Sequence, residues 1–129
     1  MKKYNVGKKI GNCLERSQCP VTNTLDLIGD KWTLLVIRDM LFLKKKLFKE
    51  FLGSFEGIAT NILADRLKRL EEYGIIERRP YRKAPVRYEY VLTRHGKDLR
   101  PLLMEMIRWG CVHIEGTGIP PKGGDHGYA

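Results

Sequence analysis

The chain is expected to fold as a mostly helical α+β domain, with several helices, then a two-stranded hairpin, then a closing helix. Three observations predict this. Apolar residues recur at helical spacing from about residue 22 to residue 73. The period then switches to two, with Val86, Tyr88, Tyr90 and Leu92 alternating with Arg87, Glu89 and Val91. Glycines at 29, 53, 57 and 74 fall between the periodic segments, where turns belong.

The 129 residues suit one domain that can bury a real core. A hydrophobic share of 43% argues against wholesale disorder. Lys and Arg number 24 against 15 for Asp and Glu, a net charge of +9. Such an excess points to nucleic acid first and an acidic membrane surface second, with plain solubility as the competing explanation. Three cysteines, Cys13, Cys19 and Cys111, are too few and too odd for a secreted disulfide scaffold. The opening Met1-Lys2-Lys3-Tyr4-Asn5 leads into polar residues, not an apolar run, and the apolar stretch Leu34 to Ile37 is far too short to span a bilayer. A cytoplasmic protein with reduced thiols and no membrane partner is expected.

Residues 1–18 read as a polar, basic arm, and Cys19-Pro20 punctuates the chain. Thr22 to Ile28 suits a short helix ended by Gly29. Asp30 caps a stronger helix from Lys31 to about Leu43, because its carboxylate can accept from the first-turn amides. Trp32, Leu35, Ile37 and Met40 make that helix apolar on several sides, so it is placed at the centre of the core. Lys44-Lys45-Lys46 stops it. Leu47 to Leu52 forms a short helix, and Gly53 to Gly57 a turn. Thr60 to Tyr73 is a helix with Ile62, Leu63, Leu67 and Leu70 inward and Gly74 as its stop. Strands follow at Ile75 to Tyr81 and Val86 to Leu92, separated by the basic tip Arg82-Lys83-Ala84-Pro85. Thr93 caps a last long helix, Arg94 to about His113, which Pro101 is expected to kink. The domain therefore spans 19–113, and a glycine- and proline-rich tail, expected to be flexible, occupies 114–129.

This order of elements is that of a winged helix-turn-helix. A helix fits the DNA major groove, and a basic hairpin can reach the neighbouring backbone. On the 60–73 helix, the side opposite Leu63, Leu67 and Leu70 carries Thr60, Asn61, Ala64, Asp65 and Lys68. Asn61 suits adenine, and Lys68 suits a phosphate or guanine. Asp65 repels phosphate, so it reads cytosine or pairs with a nearby arginine. From Arg78 to Arg87 there are five basic residues and no acid, with Arg82, Lys83 and Arg87 placed nearest a phosphate. Arg78 and Arg79 can instead brace the hairpin against Glu77 or Glu89.

The chain resembles the HxlR-type winged-helix transcriptional regulators, relatives of the larger MarR group. The resemblance covers Cys19 to about Trp109. It rests on Cys19-Pro20-Val21, Leu25 to Leu35, Phe48-Lys49-Glu50-Phe51, Gly57-Ile58 and Leu63 to Leu70, then on Gly74-Ile75-Ile76, Tyr88 to Thr93, Gly96 and Trp109. It implies a homodimer on double-stranded DNA, with half-sites roughly 34 Å apart and dimer contacts from the N-terminal segment and the last helix. The surplus apolar side of Leu99, Leu103, Met106 and Ile107 agrees. Two departures stand out. Ala59 replaces the usual Ser or Thr before the recognition helix, and Leu47 replaces the second of two basic residues before Phe48. Lys44, Lys45 and Lys46 are then expected to supply the DNA backbone contact.

The resemblance also places Cys19 where some members carry a thiol that senses quinones, aldehydes or oxidants. Arg16 nearby and a helix start would favour the thiolate. The competing reading is an inert cysteine at the dimer seam. Cys13 and Cys111 are possible resolving thiols. Cys111 and His113 point to different sides of a helix, so no metal or other cofactor is expected. No phosphate loop and no set of nucleophile, base and orienter suggests an enzyme. A winged-helix module for protein or RNA remains the alternative, which an acidic wing or large exposed apolar residues on the recognition helix would favour.

Overall fold

The computed structural model describes residue 10 and residues 17–118. Expectations for most of the arm, including Cys13 and Arg16, and for the tail beyond Gly118 lie outside the described residues.

Helix α1 (Pro20–Ile28) begins two residues earlier than expected, with Pro20 in its first turn, where a missing N–H breaks no helical bond. Asp30 caps α2 (Lys31–Phe42), its Oδ1 accepting from the Thr33 amide at 2.7 Å. The chain leaves α2 through Lys44, held in the left-handed region at φ 56°, and the Lys45 amide donates to the Asp39 carbonyl at 3.1 Å. In α3 (Phe48–Leu52), Glu50 reaches back to accept from the amides of Lys46 and Leu47 at 3.0 and 2.9 Å. Helix α4 (Thr60–Glu72) buries Leu63, Leu67 and Leu70 almost completely. It ends through Gly74 at φ 75°, which lets the Ile75 amide donate to the Leu70 carbonyl at 2.9 Å.

Strands β1 (Ile76–Lys83) and β2 (Val86–Leu92) pair antiparallel. The hairpin is longer than expected, since Arg82 and Lys83 belong to β1 and only Ala84-Pro85 form the tip. The single closing helix is instead two, α5 (Arg94–Lys97) and α6 (Arg100–His113), divided at Asp98 and Leu99. Proline has no N–H to donate to the carbonyl four residues back, and its ring crowds that carbonyl. Pro101 therefore starts a helix here where a kink inside one was expected.

One core joins these elements. Ile37, Met40 and Leu41 of α2 meet Phe51, the α4 leucines, Ile75, Ile76 and Leu103. The α5 turn docks tightly on the start of the hairpin. Thr93 donates its hydroxyl to the Gly74 and Ile75 carbonyls, and a Cβ on Gly96 would lie 2.3 Å from the Ile75 oxygen. No helix among the described residues is long and apolar enough to cross a membrane.

Candidate nucleic-acid interface

The start of α4 presents short side chains outward. Thr60, Asn61, Ala64 and Lys68 are exposed, while Leu63 and Leu67 on the other side anchor the helix to the core. Ala59 is the N-cap and supplies no side-chain bond, and Thr60 is already the first helical residue. The N-cap of α4 thus supplies no side-chain bond to the first-turn amides, as alanine at 59 implies.

Asp65 sits differently from its neighbours. Its Oδ2 is 2.5 Å from Arg66 Nη1 and 3.0 Å from Arg69 Nε. Of the two roles open to it, the arginine partner is the one seen. Arg66 also reaches α2, its Nε donating to Asp30 Oδ2 at 2.5 Å. Burial alone would raise the Asp30 carboxyl, but the Thr33 hydroxyl and amide and the Arg66 guanidinium outweigh it and hold it below the ordinary value. One carboxylate therefore caps α2 and ties its start to α4.

In the hairpin, Arg82 and Arg87 are direct cross-strand partners, and Lys83 faces Val86. An irregularity between Pro80 and Arg82 shifts the register, which brings Arg82 onto the Arg87 side. Like charges opposite each other destabilise a ladder unless an anion sits between them. Lower on the hairpin, the Arg78 guanidinium lies over the Tyr88 ring at 4.3 Å, and Arg79 Nε donates to Glu77 at 2.6 Å. Arg79 braces the hairpin against Glu77, as one expectation had it, whereas Glu89 takes Lys46 at 3.8 Å. A cleft of about 620 Å³ separates α3 from the hairpin tip, and Lys49, Arg82 and Arg87 all line it. Lys49 belongs to the Phe48-Lys49-Glu50-Phe51 motif, but nothing in the sequence placed it beside the hairpin tip.

The three lysines after α2 do not act alike. Lys44 and Lys46 are exposed, and the Tyr90 amide donates to the Lys46 carbonyl at 2.8 Å, tying this segment to β2. Lys45 turns inward instead. Its Nζ lies 3.0 Å from Ser54 Oγ and 3.5 Å from Asp39 Oδ2, so it is engaged inside the protein. Asp39 is almost fully buried and also accepts from Arg38 Nη2 at 2.7 Å. Arg38 in turn forms a two-pronged pair with Glu56 at 2.6 and 2.8 Å. This network ties the end of α2 to the turn between α3 and α4. Its members are up to 18 residues apart, and no periodicity links them.

Cys19 is exposed and is the N-cap of α1. The Thr22 amide and hydroxyl and the Val21 amide favour its thiolate and lower its pKa below the usual thiol value. Cys111 is exposed on α6, and neither it nor Cys19 is in a disulfide. Of the residues expected at a dimer seam, Leu103 is buried in the core of the domain, and Leu99 and Ile107 pack partly against that core. Met106 is outward, at 47% exposure. The outward stripe of α6 is Leu102, Met106, Trp109 and Val112, and Val21 and Leu25 of α1 are also exposed. Met106 and Leu102 line an apolar groove of about 490 Å³ shared with α1. The helical spacing was legible, but which side of α6 faces its own core was not.

The sequence profile of the HxlR-like helix-turn-helix family matches residues 27–117. The HTH-type transcriptional regulator sll1512 of Synechocystis is 36% identical over 104 residues, covering 80% of this chain and 76% of that one. YdeP, an HTH-type transcriptional regulator of Bacillus subtilis, is 38% identical over 92 residues, or 71% of each chain. Among solved structures, PA1607 superposes with a TM-score of 0.72 at 34% identity, over 85% of this chain and 80% of its own. The oxidised form of the redox regulator HypR gives 0.65 at 36%, over 74% and 97%. The reduced form of the transcriptional regulator YodB from B. subtilis gives 0.62 at 32%, over 76% and 96%. With the helix-turn-helix and the wing in place and the family profile spanning both, the chain belongs to the HxlR-like helix-turn-helix family of transcriptional regulators.

Proposed function

We propose that this protein is a cytoplasmic homodimer that binds a pseudo-palindromic operator in double-stranded DNA, and that its affinity responds to electrophiles or oxidants through Cys19. The observation that carries the DNA reading is the pairing of Arg82 with Arg87 on a hairpin that follows an outward face of short polar residues on α4. Two opposed guanidiniums suit a phosphate between them. Thr60, Asn61 and Ala64 are short enough to let α4 approach base edges, with Asn61 matched to adenine and Lys68 to guanine or a phosphate. Lys83, Lys44 and Lys46 add backbone contacts, and Asp65 keeps Arg66 and Arg69 in place beside them.

The dimer reading is supported by the exposed apolar stripe of α6 and by the apolar groove it shares with α1. The sensing reading is supported by the exposed, thiolate-favouring position of Cys19 and by the likeness to HypR, a redox regulator. Oxidation or alkylation at the start of α1 would disturb the seam and with it the spacing of the two recognition helices.

Selection of genomic fragments with and without an electrophile tests the whole reading. It should return a two-fold symmetric site whose recovery falls when the electrophile is added. Recovery of random fragments would remove operator recognition.

A further inference from the structure

Beside the base of the hairpin lies a cavity of about 600 Å³ that DNA recognition by α4 and the wing tip does not use. Six basic side chains line it: Lys44, Lys45, Lys46, Arg79, Lys97 and Arg100. Among the described residues, no acidic side chain lines it. Asp39 pairs with Lys45, Glu77 with Arg79 and Glu89 with Lys46, and these three carboxylates stand outside the lining. Lys44 and Lys97 have no ion-pair partner among the described residues. Lys44 is further held at φ 56°, a backbone conformation that disfavours any residue with a Cβ. The Arg100 guanidinium is fixed over the Phe42 ring at 4.9 Å. Lys44 and Lys97 are therefore cations on this wall that no carboxylate among the described residues offsets, and they would attract an entering anion.

The walls are not only charged. Met40, Leu41 and Val91 supply apolar surface. The volume is within the range of roughly 300–1,000 Å³ usual for small-molecule sites. A bare phosphate would leave that apolar surface unused. We propose that this cavity binds a small organic anion, a carboxylate or sulfonate on an apolar body, and that its occupancy weakens DNA binding. The second half rests on the DNA reading above: the anion would share Lys44 and Lys46 with the DNA backbone, and it would touch α2, the hairpin and α6 at once. Coupling of this kind is reciprocal, so DNA would weaken the anion equally.

Calorimetric titration of the full chain, without DNA, tests the site directly. The probes are 1-naphthalenesulfonate, its neutral sulfonamide, and inorganic pyrophosphate. One saturable site per chain is expected for the sulfonate, with the other two weaker by about tenfold or more, the scale of a lost charged contact. Lys97→Gln and Arg79→Gln alter exposed side chains outside the core, and each should weaken the sulfonate by a similar factor while far-UV dichroism stays unchanged. No saturation below about 10 mM overturns the site, an affinity too weak for a built pocket. Pyrophosphate binding as tightly as the sulfonate, or sulfonate binding indifferent to both variants, overturns it as well. In a second arm the sulfonate is added to the protein with its selected DNA fragment. Loss of DNA affinity in the wild type is expected, with Lys97→Gln needing about tenfold more sulfonate for the same loss. Unchanged DNA affinity overturns the coupling while the site stands. Failure to bind any DNA fragment counts against the DNA reading, and the calorimetry still reports on the cavity.

Discussion

Asp30 holds Arg66 at 2.5 Å while its other oxygen caps α2 through the Thr33 amide at 2.7 Å. A single carboxylate thus joins the start of the central helix to the middle of the recognition helix. Asp30→Ala should lower stability by about 1–2 kcal/mol, the scale of a lost N-cap, with little added by the partly exposed ion pair. Urea unfolding checks this.

The same carboxyl has a pH signature. Its pKa is lowered in the folded protein, so its contribution is fully present above the unfolded value, near 3.9, and is lost as pH falls through the lower folded value. Stability of the wild type should drop more steeply below about pH 4 than that of Asp30→Asn. Parallel curves would show that Arg66 and Thr33 do not select the ionised form.

Arg82 and Arg87 face each other across the hairpin. Arg82→Ala should weaken binding to all DNA and lower the log–log salt slope by about one unit. Removing one of two opposed charges should also stabilise the free protein by a few tenths of a kcal/mol. Affinity lost and stability gained in one variant would separate a phosphate contact from a structural role, and an unchanged salt slope would take the wing tip out of the interface.

Asn61 is exposed on the first turn of α4. Asn61→Ala should relax base preference at one position per half-site, at a cost of about 1–3 kcal/mol for the preferred base. Selection from a randomised fragment pool measures this. A uniform loss over all sequences would make Asn61 a backbone contact.

Cys19→Ser should leave DNA affinity near wild type under reducing conditions and abolish release by diamide. Gel-shift titration checks both. A serine variant that still lets go of DNA under diamide would place the reactive thiol elsewhere.

Gly96 is required by a close approach. A methyl group there would sit 2.3 Å from the Ile75 oxygen and 2.7 Å from Leu92 Cδ2. Gly96→Ala should cost about 1–3 kcal/mol through overpacking at the root of the wing. Thermal unfolding measures it.

The identity and order of the elements could be read from local patterns. Asp30 as a helix cap, Leu63, Leu67 and Leu70 as an inward stripe, and Gly74 as a stop each act through neighbours within one helical turn or through simple periodicity, and in those roles each behaves as expected. The alternation from Val86 to Leu92 marked the wing in the same way. Pro101 was visible too, but its effect depended on where the preceding turn ended, so a kink became a break between α5 and α6.

Contacts between residues far apart in the chain had no such signal. Lys44, Lys45 and Lys46 are three like charges in a row, yet one pairs inward with Asp39 and Ser54 while two face outward. Asp65 has its arginines close by in the chain, at 66 and 69, but Arg66 also reaches Asp30, 36 residues away, and that contact had no local signal. The α6 stripe looked uniformly apolar until Leu103 was drawn into the core and Leu102, Met106 and Trp109 were left outside. Backbone preference and hydrophobic period act over a few residues, so a linear string carries them. The direction a charged side chain takes depends on which partner the folded chain brings within about 3 Å of it, and packing sets that distance.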